Sequence, residues 1–256
     1  MKNVPERYRS EQIGKVRLVA RDDAIAFVKD AISEAGTLYD FAARHPDAEA
    51  IQGRQTLYMI PGPGATRWVV RQLSHGGLLA PITRKRFLKS DKPRPFNELL
   101  LSVRFQQLDI HTPDVVAAVV YPSGLSYGGE VAREEIENAL DLADCLFGKD
   151  DLEPMQRATV LAAAGRLIGE LHQEGVLHPD LNLKNILIQS PTDQPRAYIL
   201  DIEKCEIASD LSGPQREAML ARFSRSAHKF ERRVVRRISA DEWKIFRTAY
   251  KEGRVR

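Results

Sequence analysis

A helical repeat stops at a glycine and runs straight into a polar loop between two short apolar segments; this constrains the chain more than any other feature. Residues 152–175, LEPMQRATVLAAAGRLIGELHQEG, carry Pro154 in the first turn, Val160, Ala164, Leu167 and Leu171 at helical spacing, and Gly175 past the end. GVLHPDLNLKNILIQ follows at 175–189, then RAYILDIEKCEI at 196–207. NILIQ and AYIL read as short strands flanking a polar turn. A hairpin of the two returns Asp201 to the loop that holds Asp180 and Asn185. Two oxygen-bearing side chains at hairpin ends can hold Mg²⁺, a hard cation that prefers carboxylate and amide oxygens and shares its shell with substrate phosphates. A further carboxylate beside them can orient a hydroxyl and accept its proton during phosphoryl transfer. Spacing alone leaves open an Asx-rich loop whose side chains only cap backbone groups.

Upstream, residues 22–45 have helical spacing that Pro46 ends. The texture then changes: EAIQGRQTLYMI and TRWVVRQL, rich in aromatic and β-branched residues and separated by PGPG, predict a hairpin. After the basic TRKRFLKSDKPR, the spacing in PFNELLLSVRFQQL predicts a helix with Pro95 in its first turn and Phe96, Leu99, Leu100 and Val103 on one face. DVVAAVVYPSGLSYGGEVAREEIENAL reads as two strands around a Pro-Ser-Gly turn. The order is that of an α+β chain, a small β-rich lobe before a larger, mainly helical one, with no internal repeat. Hydrophobic content of 43% and charged content of 29% fit a folded domain. ATVLAAAGRLIGEL is broken by Arg166 and Glu170, so no membrane-spanning helix is expected, nor does the N-terminus read as a signal peptide. Cys145 and Cys205 supply no metal-binding spacing and fit a reducing compartment. Residues 214–256 hold 13 Lys/Arg against 5 Asp/Glu, a net of +8, in a chain whose net charge is +3. Such asymmetry points to a C-terminal region that meets an anionic surface.

The spacing H-x-D-x-x-x-x-N, with a helix before it and a strand-borne Asp after it, resembles the protein-kinase-like superfamily. The resemblance implies a bilobal fold that uses ATP and Mg²⁺, with Asp180 as catalytic base and Asn185 and Asp201 as metal ligands. It also requires a phosphate loop, a strand-borne cation and a partner Glu upstream. PGPG cannot be that loop, because Arg71 follows Gly64 too closely for an intervening strand. IQGRQT, with Gly53 and Arg54, is the better register; Arg71 then stands where kinases carry Lys, and Glu98 is its natural partner. The expected organisation is an N-terminal helical extension over 1–46, an N-lobe over 47–138 with the hinge near Arg133–Glu137, and a C-lobe with a basic helical tail over 139–256.

Protein kinases differ in four respects. Asn182 replaces their Lys, DIE replaces Asp-Phe-Gly, Ala-Pro-Glu is missing, and too few residues follow Asp201 for a peptide-binding platform. HPDLNLKNILI instead is similar to the H-x-D-L-N-x-x-N-I-L of bacterial lipopolysaccharide kinases of the 3-deoxy-D-manno-octulosonic acid (Kdo) type. VVRQLSHGGLLAPITRKRF, QGR, REEIENALDLADCL and YILDIEKCEI resemble further segments of that family, over roughly residues 50–225. Gln72–His75 and Glu203 depart from it. The resemblance implies transfer of the ATP γ-phosphate to a hydroxyl of Kdo on a lipid A precursor. The partners would be a Kdo-lipid A type glycolipid and the anionic inner leaflet, with no nucleic acid. The place would be the cytoplasmic face of the bacterial inner membrane, as a peripheral protein. Lys184 could set a cation near the transferring phosphoryl group, or simply face solvent; His178 should structure the loop and His172 pack in the lobe. Two rivals remain: an aminoglycoside- or choline-type phosphotransferase, which predicts an acidic acceptor-binding tail, and a pseudokinase, favoured by the strand Arg and sparse phosphate loop.

Overall fold

YRSEQI and VRLVAR flank a Gly-Lys turn, and the chain opens on the hairpin they form, β1 (Tyr8–Ile13) and β2 (Val16–Arg21). Gly14 supplies the left-handed turn residue, at φ 58°. The computed structural model describes residues 4–52, 55–73, 87–88, 90–149 and 152–255. It divides into one unit made of 1–103 and 114–135, and a second made of 104–113 and 136–256.

In the first unit, β3 (Glu49–Ile51), β4 (Leu57–Pro61), β5 (Arg67–Gln72), β6 (Phe87–Leu88), β7 (Val115–Ser123) and β8 (Ser126–Glu134) join the opening hairpin in an antiparallel sheet. Its order is β1-β2-β7-β8-β5-β4-β3, with β6 beside β8. Period-two alternation sends Leu18 and Ala20 to one face and Val19 to the other. The first face packs Trp68, Ile60 and Val70 against α1 (Ile25–Ala35) and α2 (Leu38–Arg44). The second packs Leu73 and Val131 against Phe96 and Leu99 of α3 (Arg94–Gln107). Leu100, predicted for that face, is 37% exposed. Gly129 lets α3 approach, since a Cβ there would lie 2.5 Å from Pro95 Cγ.

The first 46 residues are therefore more than the helical extension their spacing predicts: β2 is a strand of the main sheet, paired with β7. The single helical pattern over 22–45 also splits in two. Gly36 adopts φ 85° at the end of α1, and Thr37 Oγ1 caps α2 by accepting from Asp40 N at 2.9 Å.

The second unit contains α4 (Leu142–Phe147), α5 (Pro154–Gln173), α6 (Gly213–Glu231) and α7 (Ala240–Gly253). β9 (Ala139–Asp141), β11 (Ile186–Gln189) and β12 (Arg196–Ile199) form a small sheet in the order β12-β11-β9, and β10 (Val176–Leu177) pairs with β13 (Glu206–Ile207). Val160, Ala164, Leu167 and Leu171 are buried as their spacing predicts, but α5 is buried on its glycine side too. A Cβ on Gly165 would lie 2.4 Å from Phe246 O, one on Gly169 2.3 Å from Tyr250 O, and one on Gly253 2.3 Å from Arg166 O. The α5 and α7 backbones thus touch, and Phe246 stacks on Phe223 of α6 with centroids 5.1 Å apart. Ala normally stabilises a helix interior by about 1 kcal/mol over Gly. Here Gly169→Ala is expected to do the opposite, lowering stability by roughly 1–3 kcal/mol through overpacking, measured by denaturant unfolding.

Candidate active site

Arg71 and Arg133 share one face of the sheet: Arg133 is paired with Val69 across β5 and β8, and Arg71 lies two residues along. Glu98, on α3, meets them both. Its carboxylate is fully buried and accepts from Arg71 Nη2 at 2.6 Å through Oε2, and from Arg133 Nε at 2.7 Å and Nη2 through Oε1. The Arg71–Glu98 pair anticipated from the spacing is in place, and Arg133 is an addition to it. One buried negative charge thus serves two guanidiniums. Removing one partner from a buried pair strands the other, so Glu98→Ala should cost about 3–5 kcal/mol, read from chemical denaturation. Gly53 and Arg54, the expected phosphate-loop residues between β3 and β4, lie outside the described residues.

The polar loop belongs to the second unit and is built around one imidazole. His178 is fully buried; Asp180 N donates to its Nδ1 at 3.2 Å, and its Nε2 lies 2.9 Å from Leu200 O. An amide can only donate and a carbonyl only accept, so the ring is neutral with its proton on Nε2. Burial keeps His178 below the usual histidine range against the pull of Leu200 O and the nearby Asp201 and Asp180. Neither ring nitrogen is left to act as a base.

The hairpin closes as its sequence predicts. Ile186 pairs with Ile199, and Leu200 N donates to Asn185 O at 2.9 Å, which sets Asp201 one residue beyond Asn185's partner. Asp180 O accepts from Asn185 Nδ2 at 2.9 Å and from Asn182 Nδ2 at 2.8 Å. Asn185's amide NH2 is thereby tied to the loop, and its Oδ1 is the end left to meet a cation. Asp201 is exposed and left-handed, at φ 58° and ψ 40°, a conformation Asp tolerates better than most residues and one that concentrates at functional sites. Asp180 is exposed, with Arg222 Nη1 of α6 at 3.4 Å from its Oδ1. Ser226 Oγ, one turn on, accepts from Leu183 N at 3.3 Å, so α6 is seated directly on the loop.

Lys184 lies between two carboxylates. Its Nζ sits 2.8 Å from Asp141 Oδ2 and 3.2 Å from Asp144 Oδ1, making it a strut from the loop to the start of α4. Burial opposes its charge, but the bonds to Asp141 and Asp144 outweigh this and raise its pKa. Asn182 caps the short 3₁₀ turn Leu183–Asn185 through Lys184 N, at 2.9 Å. Arg133 was expected only at the hinge, not as a partner of Glu98, and Arg222 was not singled out in the sequence. Arg133 carried a legible signal, a strand residue on the same face as buried Val131, whereas Arg222 was one basic residue among many.

No group of three or more His, Cys, Asp or Glu side chains that could hold a metal exists among the described residues. A site here would rest on Asn185 and Asp201. Their hard oxygens suit Mg²⁺, which keeps waters and substrate phosphates as its other ligands.

The sequence profile of the lipopolysaccharide kinase (Kdo/WaaP) family matches residues 48–250. This chain belongs to that family. It is 32% identical to the 3-deoxy-D-manno-octulosonic acid kinase of Actinobacillus succinogenes over 185 residues, covering 71% of this chain and 74% of that kinase. It is 30% identical to the enzyme of that name from Haemophilus influenzae (strain PittGG) over 206 residues, covering 78% and 82%. Among solved structures, WaaP in complex with acyl carrier protein aligns with a TM-score of 0.58 at 14% identity, over 92% of this chain and 89% of that one. The fold is the protein-kinase-like one.

His172, on α5, is 1% exposed; its Nδ1 lies 2.9 Å from Tyr250 Oη, while Nε2 has no hydrogen-bond partner among the described residues. Burial, helped by Arg254 and Arg216, lowers it from 6.5 to about 4. Because the unfolded chain binds protons on His172 and His178 before the folded kinase does, their contribution to stability is complete above pH ~6.5 and lost as the pH falls towards their folded values. Stability should be flat near neutrality and fall from pH 6.5 to 5 by at most about 1.4 kcal/mol per unit for each histidine. His172→Phe should flatten that slope, measured by unfolding at each pH.

Proposed function

We propose that this kinase transfers the γ-phosphate of ATP to a hydroxyl of Kdo on a lipid A precursor. As a lipopolysaccharide kinase it is a phosphotransferase with an alcohol acceptor; the observation that carries the fuller reading is the hairpin that returns Asp201 to Asn185 beside Asp180. Relatives bearing the name 3-deoxy-D-manno-octulosonic acid kinase support the acceptor.

In this reading Asp180 orients the acceptor hydroxyl and takes up its proton as the oxygen attacks phosphorus. His178 holds the Asp180 backbone, so the carboxylate is presented from a fixed loop. Asn185 and Asp201 hold Mg²⁺, which neutralises charge on the phosphates when bound. Arg71, kept in place by Glu98, supplies positive charge for the nucleotide phosphates. Arg222 is placed to receive the acceptor's own acid group: the guanidinium that now contacts Asp180 would turn to the sugar carboxylate. Lys184 positions the loop and does not touch the phosphoryl group.

No helix among the described residues is long and apolar enough to cross a membrane. The acceptor is lipid-held, and the +8 segment from residue 214 onward supports peripheral attachment to an anionic inner leaflet, on its cytoplasmic face.

Labelled ATP with Mg²⁺, Kdo-lipid A and an aminoglycoside panel tests the reading. Label is expected on the Kdo-lipid alone and should fall about 10²–10⁴-fold in Asp180→Asn. Label on a soluble aminosugar would overturn the acceptor, and no label with any acceptor would favour the pseudokinase. Arg222→Ala should raise KM for the Kdo acceptor about tenfold, with KM for ATP unchanged, since a charge-assisted hydrogen bond is worth roughly 1.5–3 kcal/mol.

A further inference from the structure

The segment Arg232-Arg233-Val234-Val235-Arg236-Arg237, between α6 and α7, serves none of the steps above. Val235 is 98% exposed and Val234 37% exposed. Val235 is the most exposed of the large hydrophobic residues described, at the tip of a basic turn.

The turn is held at its base. Glu231, 9% exposed, accepts from Ile238 N at 2.9 Å and lies 2.8 Å from His228 Nδ1, so it closes the turn like a clasp. Arg157, 7% exposed, donates to Arg237 O at 3.2 Å and to Leu146 O at 2.7 Å. Arg236 Nη1 reaches Leu146 O at 3.3 Å, and Arg237 Nη1 caps Val234 O at 3.3 Å. Val235 is therefore displayed by a built loop.

The charge around it is of one sign. From Arg225 to Arg237 there are six Lys/Arg residues, and the lone acid, Glu231, is the buried clasp. Arg233 lies over the Phe230 ring with its Cζ 5.8 Å from the centroid, and Lys184 Nζ of the catalytic loop lies 6.0 Å from the same ring. The turn and the loop thus share a wall.

We propose that the Arg232–Arg237 turn is the kinase's contact with an anionic bilayer, Val234 and Val235 entering the headgroup boundary while the flanking arginines meet lipid phosphates. This rests on the lipid-held acceptor of the proposed function and assigns its docking point. Aliphatic side chains gain by leaving water at that depth, and arginines keep their charge at the interface by snorkelling. Each basic residue near such a surface adds about fivefold in affinity at low salt. The Phe230 wall then brings the catalytic loop to the membrane face that carries the acceptor.

The experiment is co-sedimentation of the full chain with phosphatidylglycerol/phosphatidylethanolamine vesicles, without ATP or acceptor, against phosphatidylcholine vesicles. Wild type should bind the anionic vesicles alone, and binding should weaken with salt. Val235→Asp should bind about tenfold or more weakly, and Val235→Leu at least as well as wild type, with both unfolding at the wild-type midpoint. Val235→Asp should also lose transfer to vesicle-embedded acceptor while keeping wild-type rates on a deacylated, soluble one. Equal binding by both variants would overturn the proposal, as would a wild type that ignores vesicles and binds an acidic protein through Val235. Vesicle binding needs no turnover, so failure of the Kdo assignment would leave this readout standing, and failure here would leave transfer to the soluble acceptor measurable.

Discussion

One neutral imidazole ties this kinase's Asp180 loop to the strand that leads into Asp201. His178 receives the amide of Asp180 on one nitrogen and gives its proton to the carbonyl of Leu200, the residue before Asp201, with the other. Both contacts are satisfied only by the neutral ring, and burial keeps it in that form. Had it been charged, two donors would face the Asp180 amide and the Leu200 carbonyl, and the loop would part from the strand. The left-handed backbone at Asp201 follows from the same arrangement. Leu200 is pinned by both His178 and Asn185, so the chain must turn sharply at the next residue to carry its carboxylate towards the loop.

Around that bond, charges divide into those that bond one element to another and those offered to solvent. Arg157 is nearly buried and bonded to Glu242 and two carbonyls; Lys184 is bound to Asp141 and Asp144; Glu231 clasps its turn. Each of these fixes one element against another. Arg222, Arg225, Lys229, Arg232 and Arg233 are exposed, all on α6 and the turn after it. The +8 of residues 214–256 belongs to the second population, which exposed Arg237, Lys244, Arg247, Lys251 and Arg254 extend along the rest of the segment.

The hairpin that returns Asp201 to Asn185 was readable because its logic is local: short strands either side of a short loop leave one return point for Asp201. The Arg71–Glu98 pair was also readable, since a strand cation and a helix acid are required together. What stayed hidden depended on distant partners. Arg133 meets Glu98 only through the pairing of β5 with β8, and Lys184 meets Asp141 only through the pairing of β11 with β9. The opening hairpin left little trace, since YRSEQI holds four polar residues in a row and VRLVAR three apolar ones, and such short strands carry a weak signal until a partner such as β7 is known. The split at Gly36 shows the converse: apolar spacing ran unbroken across a residue whose backbone could not continue the helix.

Arg71 in place of lysine makes sense only once Arg133 is in view. A lysine bonded to a buried Glu98 would satisfy that carboxylate as a point charge and leave Arg133 to compete for the same oxygens. Two guanidiniums divide the carboxylate instead, Arg71 taking Oε2 and Arg133 taking Oε1. Each fork keeps further N–H groups directed away from the shared acid, because a guanidinium has five donors in a fixed plane. The buried acid therefore sets the position of Arg71, and on this sheet Arg133 holds the same acid from its other oxygen.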